Sequence, residues 1–218
     1  MEQAIGDVLV DGKLTINENG FQGEADFGIP ANQLVTAGTA WTTNASAAAL
    51  DNLIAWLDVY VAANGAPPGA ILTSNRVRRL MQVNAQLIGA AVGSTSGKTR
   101  INNEELRDLL ESEGIPGNII TYDTQVDVDG SSTRVIPDDR LIFLPANLGD
   151  AVQVRYGVSA TALELVNSSV SDLSFEEAPG IVGVVEKVGP PYRQFTFVDA
   201  VGMPVLANAK SVLVADVA

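Results

Sequence analysis

Cysteine and histidine are both missing from the 218 residues of this chain. Without cysteine there can be neither a disulfide nor a thiolate metal ligand. Without histidine, the Ser-His-Asp and Cys-His nucleophile systems fall away, together with every histidine-containing zinc site. An enzyme built on this sequence would rest on carboxylates, lysines or hydroxyls held by the fold alone. Positive charge is scarce as well: 13 Lys and Arg stand against 26 Asp and Glu, a formal net charge of −13. Phosphate contacts are made mainly by Lys and Arg, so this balance excludes a general nucleic-acid binder. An acidic face can still enclose nucleic acid without adhering to it. No uninterrupted run of about 18 apolar residues suggests a membrane span, and no membrane partner is expected.

What is present describes a folded protein: 46% of the residues are hydrophobic and 18% charged. The length allows one sizeable core, or a core with a smaller satellite. Near the start, Val8-Leu9-Val10 reads as a strand, Asp11-Gly12 as a turn and Lys13 to Asn17 as the next strand. Asn19-Gly20 and a polar return from Gln22 to Phe27 complete a two-stranded ribbon. An isolated hairpin is marginal in water, so this ribbon is expected to lie on another subunit. Val8, Leu9, Val10, Lys13, Leu14, Ile16, Phe21 and Phe27 are the candidates for that contact.

Helical periodicity predicts a first helix from Ser46 to Ala63, with Leu50, Leu53, Ile54, Leu57 and Val61 as its stripe and Trp56 and Tyr60 beside it. Asn64-Gly65 and Pro67-Pro68 end it. Ala70 to Thr73 predicts a strand. Ser74 then caps a second helix bearing Val77, Leu80, Met81, Asn84 and Ile88. Arg76, Arg78 and Arg79 crowd its first turns, unfavourably for its own dipole, so a partner carboxylate and a solvated face both stay open as readings. A flexible loop from Gly93 to Arg100 adds Lys98 and Arg100 as further contact candidates. Asn102, Glu105 and the pair Ile101 and Leu106 spell a capping box with its hydrophobic staple for a third helix.

The next stretch is β-rich. Val126 to Gly130 alternates and turns as a hairpin with one wet face, and Arg140 to Leu144 reads as a buried strand. Residues Asn147 to Ser169 fit a short helix around Leu163, Leu165 and Val166, or a loop. Ile181 to Val188, Tyr192 to Val198 and Ser211 to Val217 are strands, separated by Gly189-Pro190-Pro191 and Gly202-Met203-Pro204. The layout is α+β.

Two arrangements imitate chemistry. Gly93-Ser94-Thr95-Ser96-Gly97-Lys98-Thr99 resembles a phosphate-binding loop, but only three residues separate its glycines and a helix precedes it. Asp123, Asp127 and Asp129 are close in sequence, yet lack the spaced oxygen ligands and distal glutamate of a calcium loop. The neighbouring pairs Asp138-Asp139 and Glu176-Glu177 point to opposite faces if extended, and so do not form an acid and base across a cleft. No catalytic, metal or cofactor residue is assigned.

The order of elements resembles the major capsid protein of tailed bacteriophages, in particular the lambda gpE-like family with its HK97-like shell fold. The resemblance covers nearly the whole chain. It is carried by Ala4 to Asn17 with the return to Gly28, Leu53-Ile54-Ala55-Trp56, Asn118 to Asp123, Asp138 to Pro145 and Asp199 to Leu206. It implies an HK97-like α+β fold with residues 1–30 as an extended β-hairpin loop. Residues 31–92 and 170–200 would form a peripheral domain with a spine helix at 46–63, and 93–169 and 201–218 an axial domain with a central sheet and flanking helices. The family also carries an N-terminal arm before the loop; Met1 stands only a few residues ahead of the ribbon, so that arm is expected to be absent.

The implied function is a non-enzymatic major capsid subunit. Copies of it would assemble into pentamers and hexamers of an icosahedral or prolate head around double-stranded DNA, without sequence-specific binding. Scaffolding, portal or decoration proteins would be further partners, and assembly in the host bacterial cytoplasm would precede the virion. A shell around protein cargo, a ring-forming tail or adaptor protein, and an enzyme with a concave polar pocket are the alternatives.

Overall fold

In the computed structural model of the chain, residues 1–18, 21–94, 96–128, 130–166, 173–178, 180–191 and 193–218 are described. They fall into two units, Glu2–Gln153 with Leu206–Ala218, and Met1 with Val154–Val205. Helix α1 (Glu2–Asp11) leads into a hairpin of β1 (Lys13–Glu18) and β2 (Phe21–Asp26), followed by β3 (Leu34–Thr36) and α2 (Ala49–Asn64). Next come β4 (Ala70–Thr73), α3 (Asn75–Val83), α4 (Ala85–Val92) and α5 (Asn103–Ser112). Strands β5 (Ile119–Thr121), β6 (Gln125–Val128), β7 (Ser131–Arg134), β8 (Arg140–Leu144) and β9 (Val152–Tyr156) follow. Helix α6 (Ala160–Val166), β10 (Leu173–Ala178), β11 (Ile181–Val188), β12 (Arg193–Ala200), β13 (Gly202–Leu206) and β14 (Leu213–Asp216) complete the order.

The central sheet of the larger unit runs β3-β14-β8-β4-β5. Strand β8 is antiparallel to both its neighbours, whereas the outer pairs β3 with β14 and β4 with β5 are parallel. Side chains alternate across a strand, and here both faces are covered. Leu141 and Phe143 of β8, Ile71 of β4, and Leu213 and Ala215 of β14 enter one core with residues of α2 to α5. Ile142, Leu144, Leu72 and Val214 enter the other, with Val8, Leu9 and Val10 of α1. Burial on both faces is why Arg140 to Leu144 reads as a nearly continuous apolar run.

The first ten residues correct the sequence reading. Val8-Leu9-Val10 is the end of a helix, not a strand. Ile5, Val8 and Leu9 have helical spacing, and Gly6 lets the helix touch another segment: a Cβ there would lie 2.1 Å from the Val135 carbonyl oxygen. Burial of that face outweighs the strand preference of two valines. Gly12, at φ +66°, ends the helix, and its carbonyl accepts from the Phe27 N–H at 2.8 Å.

Helix α2 begins at Ala49, three residues later than Ser46, with Ala48 as an N-cap that makes no side-chain bond. Its buried stripe is Ala49, Leu50, Leu53, Trp56 and Tyr60, while Val61 is exposed. The aromatics therefore occupy the centre of the stripe instead of its margin. Trp56 stacks on Trp41 at 5.8 Å between ring centroids, and Tyr60 meets Phe143 edge-on at 6.1 Å. The helix expected to follow Ser74 is two helices. Ser74 caps α3 by accepting from the Val77 N–H at 3.1 Å, and Asn84 ends α3 and caps α4. The capping box of α5 has both its bonds, and Ile101 and Leu106 are buried in one core.

In the smaller unit β10, β11 and β12 form an antiparallel meander. Ala162 of α6 packs with Val182 and Val184 of β11. Strand β11 has the expected bounds, β12 begins at Arg193, and Tyr192 lies outside the described residues. Strands β9, β10 and β13 were not anticipated: β9 falls in the stretch read as a short helix or a loop, of which α6 is the helical part, and Gly202-Met203-Pro204, read as a separator, is part of β13, which pairs with β9. Strands β3 and β4 share one sheet with β5, β8 and β14.

Candidate assembly surface

Strands β1 and β2 pair from Lys13↔Asp26 at the base to Glu18↔Phe21 near the tip; Asn19-Gly20 lies outside the described residues. Because strand residues alternate, one face of the hairpin turns inward. Leu14 is buried in the larger unit's second core, with Ile16, Ala25 and Phe27 partly buried against it. Lys13, Thr15, Asn17, Gln22, Glu24 and Asp26 face solvent. The Lys13 ammonium lies 3.3 Å from Asp26 and 3.8 Å from Glu24. Its hydrogen bond to Asp26 raises its pKa. The Gly28 N–H, donating to Asp26 at 2.8 Å, and then Lys13 hold the Asp26 carboxyl below its ordinary value.

The contact candidates thus divide. Val8, Leu9, Val10 and Leu14 are occupied within the chain's own core, and Ile16 and Phe27 are partly so. Lys13 is outward. Phe21 sits opposite Glu18, and its side chain lies outside the described residues.

The basic residues mostly find partners inside the chain. Arg76 meets Asp138 at 3.0 Å, and Arg78 donates to the Asn75 side chain at 2.8 Å. Lys98 pairs with Glu105, and that bond, ahead of the Asn102 N–H, lowers the Glu105 pKa. Arg100 donates to Gln82 Oε1, while Gln82 Nε2 donates to Asn103 Oδ1 at 2.7 Å. Arg79 is exposed and makes no ion pair among the described residues. The carboxylate anticipated for the arginine cluster is therefore the chain's own Asp138, for one of the three.

The arrangements that imitate chemistry resolve into structural contacts. Asp123 accepts from the Asn75 N–H at 3.1 Å, from the Asn75 side chain, and from Arg134 at 2.9 Å. Burial would raise its pKa, but those donors together hold it below the ordinary value. Asp127 is exposed on β6 opposite Ser132, and Asp129 lies outside the described residues. The described part of the Gly93 to Thr99 loop lies exposed between α4 and α5. Glu176 and Glu177 are neighbours on β10. Among the described residues no three His, Cys, Asp or Glu could share a metal ion, and no helix is long and apolar enough to cross a membrane.

One surface escaped the sequence reading. Strand β12 forms an edge of its sheet, and Phe195, Phe197 and Val198 are exposed on it, Phe197 by 72%. The signal was present in Phe195, Phe197 and Val198, clustered on a segment already read as a strand.

Comparison with known proteins adds a family. The sequence profile described as phage major capsid protein E matches residues 1–169. Among solved structures, an Escherichia coli protein assigned as the capsid protein of a prophage superposes with a TM-score of 0.65 at 14% identity, covering 100% of this chain and 62% of its own. A phage-related protein from Bordetella bronchiseptica gives 0.54 at 12% identity, covering 98% of this chain and 60% of its own. At these identities the similarity shows the fold alone, and this chain spans 62% and 60% of those two relatives. No curated protein sequence matches the chain.

Proposed function

Because this chain belongs to the phage major capsid protein E family, we propose that it is a major capsid subunit of the lambda gpE-like type, which self-assembles into the pentamers and hexamers of a head enclosing double-stranded DNA. The observation that carries this reading is the rooted ribbon: Leu14, Ala25 and Phe27 anchor β1 and β2 in the chain's own core, while Thr15, Asn17, Gln22 and Glu24 face solvent. A hairpin held at its base and open along one face can reach a neighbour without first paying the entropy of ordering itself. Exposed Lys13, with Arg79 and the 93–100 loop, supplies the remaining contact surface proposed for other copies.

In this reading α2 is the spine helix, packed on the central sheet through Tyr60 and Phe143. Residues 170–200 are proposed to belong to the peripheral domain. The charge of −13 suits a wall around DNA that must later be released. Many individually weak contacts then add through effective concentration. Scaffolding, portal or decoration proteins are proposed as the other partners, with assembly in the host cytoplasm.

The test replaces Thr15 to Glu24 with a two-residue turn, keeping the base pair Lys13↔Asp26. Far-UV circular dichroism should show a folded body, while light scattering and negative-stain microscopy should show loss of the closed particles formed by the intact protein. Closed particles at the intact protein's level would overturn the role given to the ribbon.

A further inference from the structure

A natural edge strand is ordinarily shielded by shortness, proline, an inward charge or a covering element. Strand β12 runs for eight residues without proline at the edge of β10-β11-β12, and seven of its eight residues are exposed. Its order, Arg-Gln-Phe-Thr-Phe-Val-Asp-Ala, is complementary to itself when reversed. If Thr196 is set opposite Thr196 of an antiparallel copy, Arg193 meets Asp199, Gln194 meets Val198 and Phe195 meets Phe197, each pair occurring twice.

We propose that β12 pairs antiparallel with β12 of a second copy of this chain about a two-fold axis through Thr196. Arg193, Phe195, Phe197 and Asp199 alternate onto one face of the strand, so the two ion pairs would bracket the two aromatic pairs. Charge complementarity selects the register. A slip of one residue puts Arg193 opposite Ala200 or Val198, and a slip of two sets one charge opposite Phe197 or Phe195 and the other beyond the strand end. The same face borders a hollow of about 250 Å³ lined by Thr161, Glu164, Leu165, Val184 and Glu186 as well as the two phenylalanines. Helix α6 is seven residues long, about 10 Å of helix, and leaves Phe197 open beside it. Asp199 accepts from the Thr161 hydroxyl at 2.8 Å, and its carboxylate has acceptor positions left for an arginine. The inference rests on the reading of the chain as a self-associating subunit and names one surface of that association.

The absence of cysteine makes the test clean. Residues directly opposite in an antiparallel pair have Cβ atoms about 4.5–5.5 Å apart, near the disulfide range. Thr196→Cys should therefore form a disulfide-linked dimer on mild oxidation. Gln194→Cys and Val198→Cys should each fail alone, being offset from their own copies by about 13 Å, but should cross-link when mixed. In the Thr196→Cys background, Arg193→Asp and Asp199→Arg should each cut the cross-linked yield at least five-fold, and mixing the two should restore it. That restoration separates pairing from any loss of the Thr161 contact in the second variant.

Failure of Thr196→Cys to cross-link while light scattering still finds oligomers or particles overturns this surface and leaves the subunit reading standing. It would mean that another segment or partner covers β12. Absence of both cross-link and association overturns both.

Discussion

Arg140 stands directly opposite Asp216 where β8 pairs with β14, and its Nη1 lies 2.9 Å from that carboxylate. The same nitrogen lies 2.8 Å from Asp139. The Arg140 and Asp216 side chains are 24% and 33% exposed, so the pair is neither a surface ion pair nor fully desolvated. Arg140→Met keeps much of the apolar stem but leaves two carboxylates without their cation. The expected loss is about 1–2 kcal/mol in urea denaturation. Because a single nitrogen meets both carboxylates, Arg140→Lys should recover part of that loss through its ammonium. A midpoint unchanged in Arg140→Met would show that the triad contributes nothing.

Tyr60 gives the fold a distinct alkaline limit. Its ring is 2% exposed against Phe143, its hydroxyl donates to the Ser211 carbonyl at 3.1 Å, and burial pushes its pKa up to about 12. An unfolded tyrosine titrates near 10. Between these values the unfolded chain binds fewer protons, so stability is intact below about pH 10 and falls as pH rises toward 12. The loss should be on the order of 2 kcal/mol. Tyr60→Phe should cost about 1 kcal/mol at neutral pH through the lost hydrogen bond, yet flatten this part of the pH profile. Equal alkaline slopes in the two proteins would contradict the assignment.

Two helical glycines should answer oppositely to the same substitution. A Cβ on Gly6 would lie 2.1 Å from the Val135 carbonyl oxygen, whereas one on Gly89 in α4 would meet nothing within 4 Å. Gly6→Ala must push α1 away from Val135 and should cost about 1–3 kcal/mol. Gly89→Ala should gain about 0.5–1 kcal/mol from helix propensity and a less flexible unfolded chain. Thermal unfolding of both variants, read by circular dichroism, decides the signs.

The features legible in the sequence were those fixed by neighbours along the chain. Asn102 and Glu105 announce α5 because both capping bonds close within four residues. Arg140 to Leu144 announces β8 because burial on both faces leaves no polar alternation to confuse it. Val8 to Val10 misled because its β-branched residues favour a strand, while the contact that makes it a helix, Gly6 on Val135, spans more than a hundred residues. Pro204 hid β13 for a related reason, since only pairing with β9 reveals that strand. For the proposed assembly surface the hairpin was legible from Lys13 onward, but not its anchoring. For Arg76 a partner carboxylate and a solvated face both stayed open, and nothing local could say that it pairs with Asp138, 62 positions away.

Asn84 offers the sharpest separation of donor from acceptor. It is fully buried where α3 turns into α4, donating through Nδ2 to the Ala47 carbonyl at 2.8 Å and accepting at Oδ1 from the N–H groups of Gln86 at 3.1 Å and Leu87 at 3.2 Å. Asn84→Ala removes the cap and strands the Ala47 carbonyl, with an expected cost of about 2–4 kcal/mol. Asn84→Asp keeps the acceptor, which suits the helix N-terminus, but sets a carboxylate against the Ala47 carbonyl. Protonating that carboxylate would restore a donor there, so the folded variant should hold its proton more tightly than the unfolded chain. Its deficit relative to the natural protein should therefore shrink as pH falls from 7 toward 4. A deficit that stays constant across that range would show that the Nδ2 bond to Ala47 contributes little, and that the Oδ1 cap alone fixes the corner.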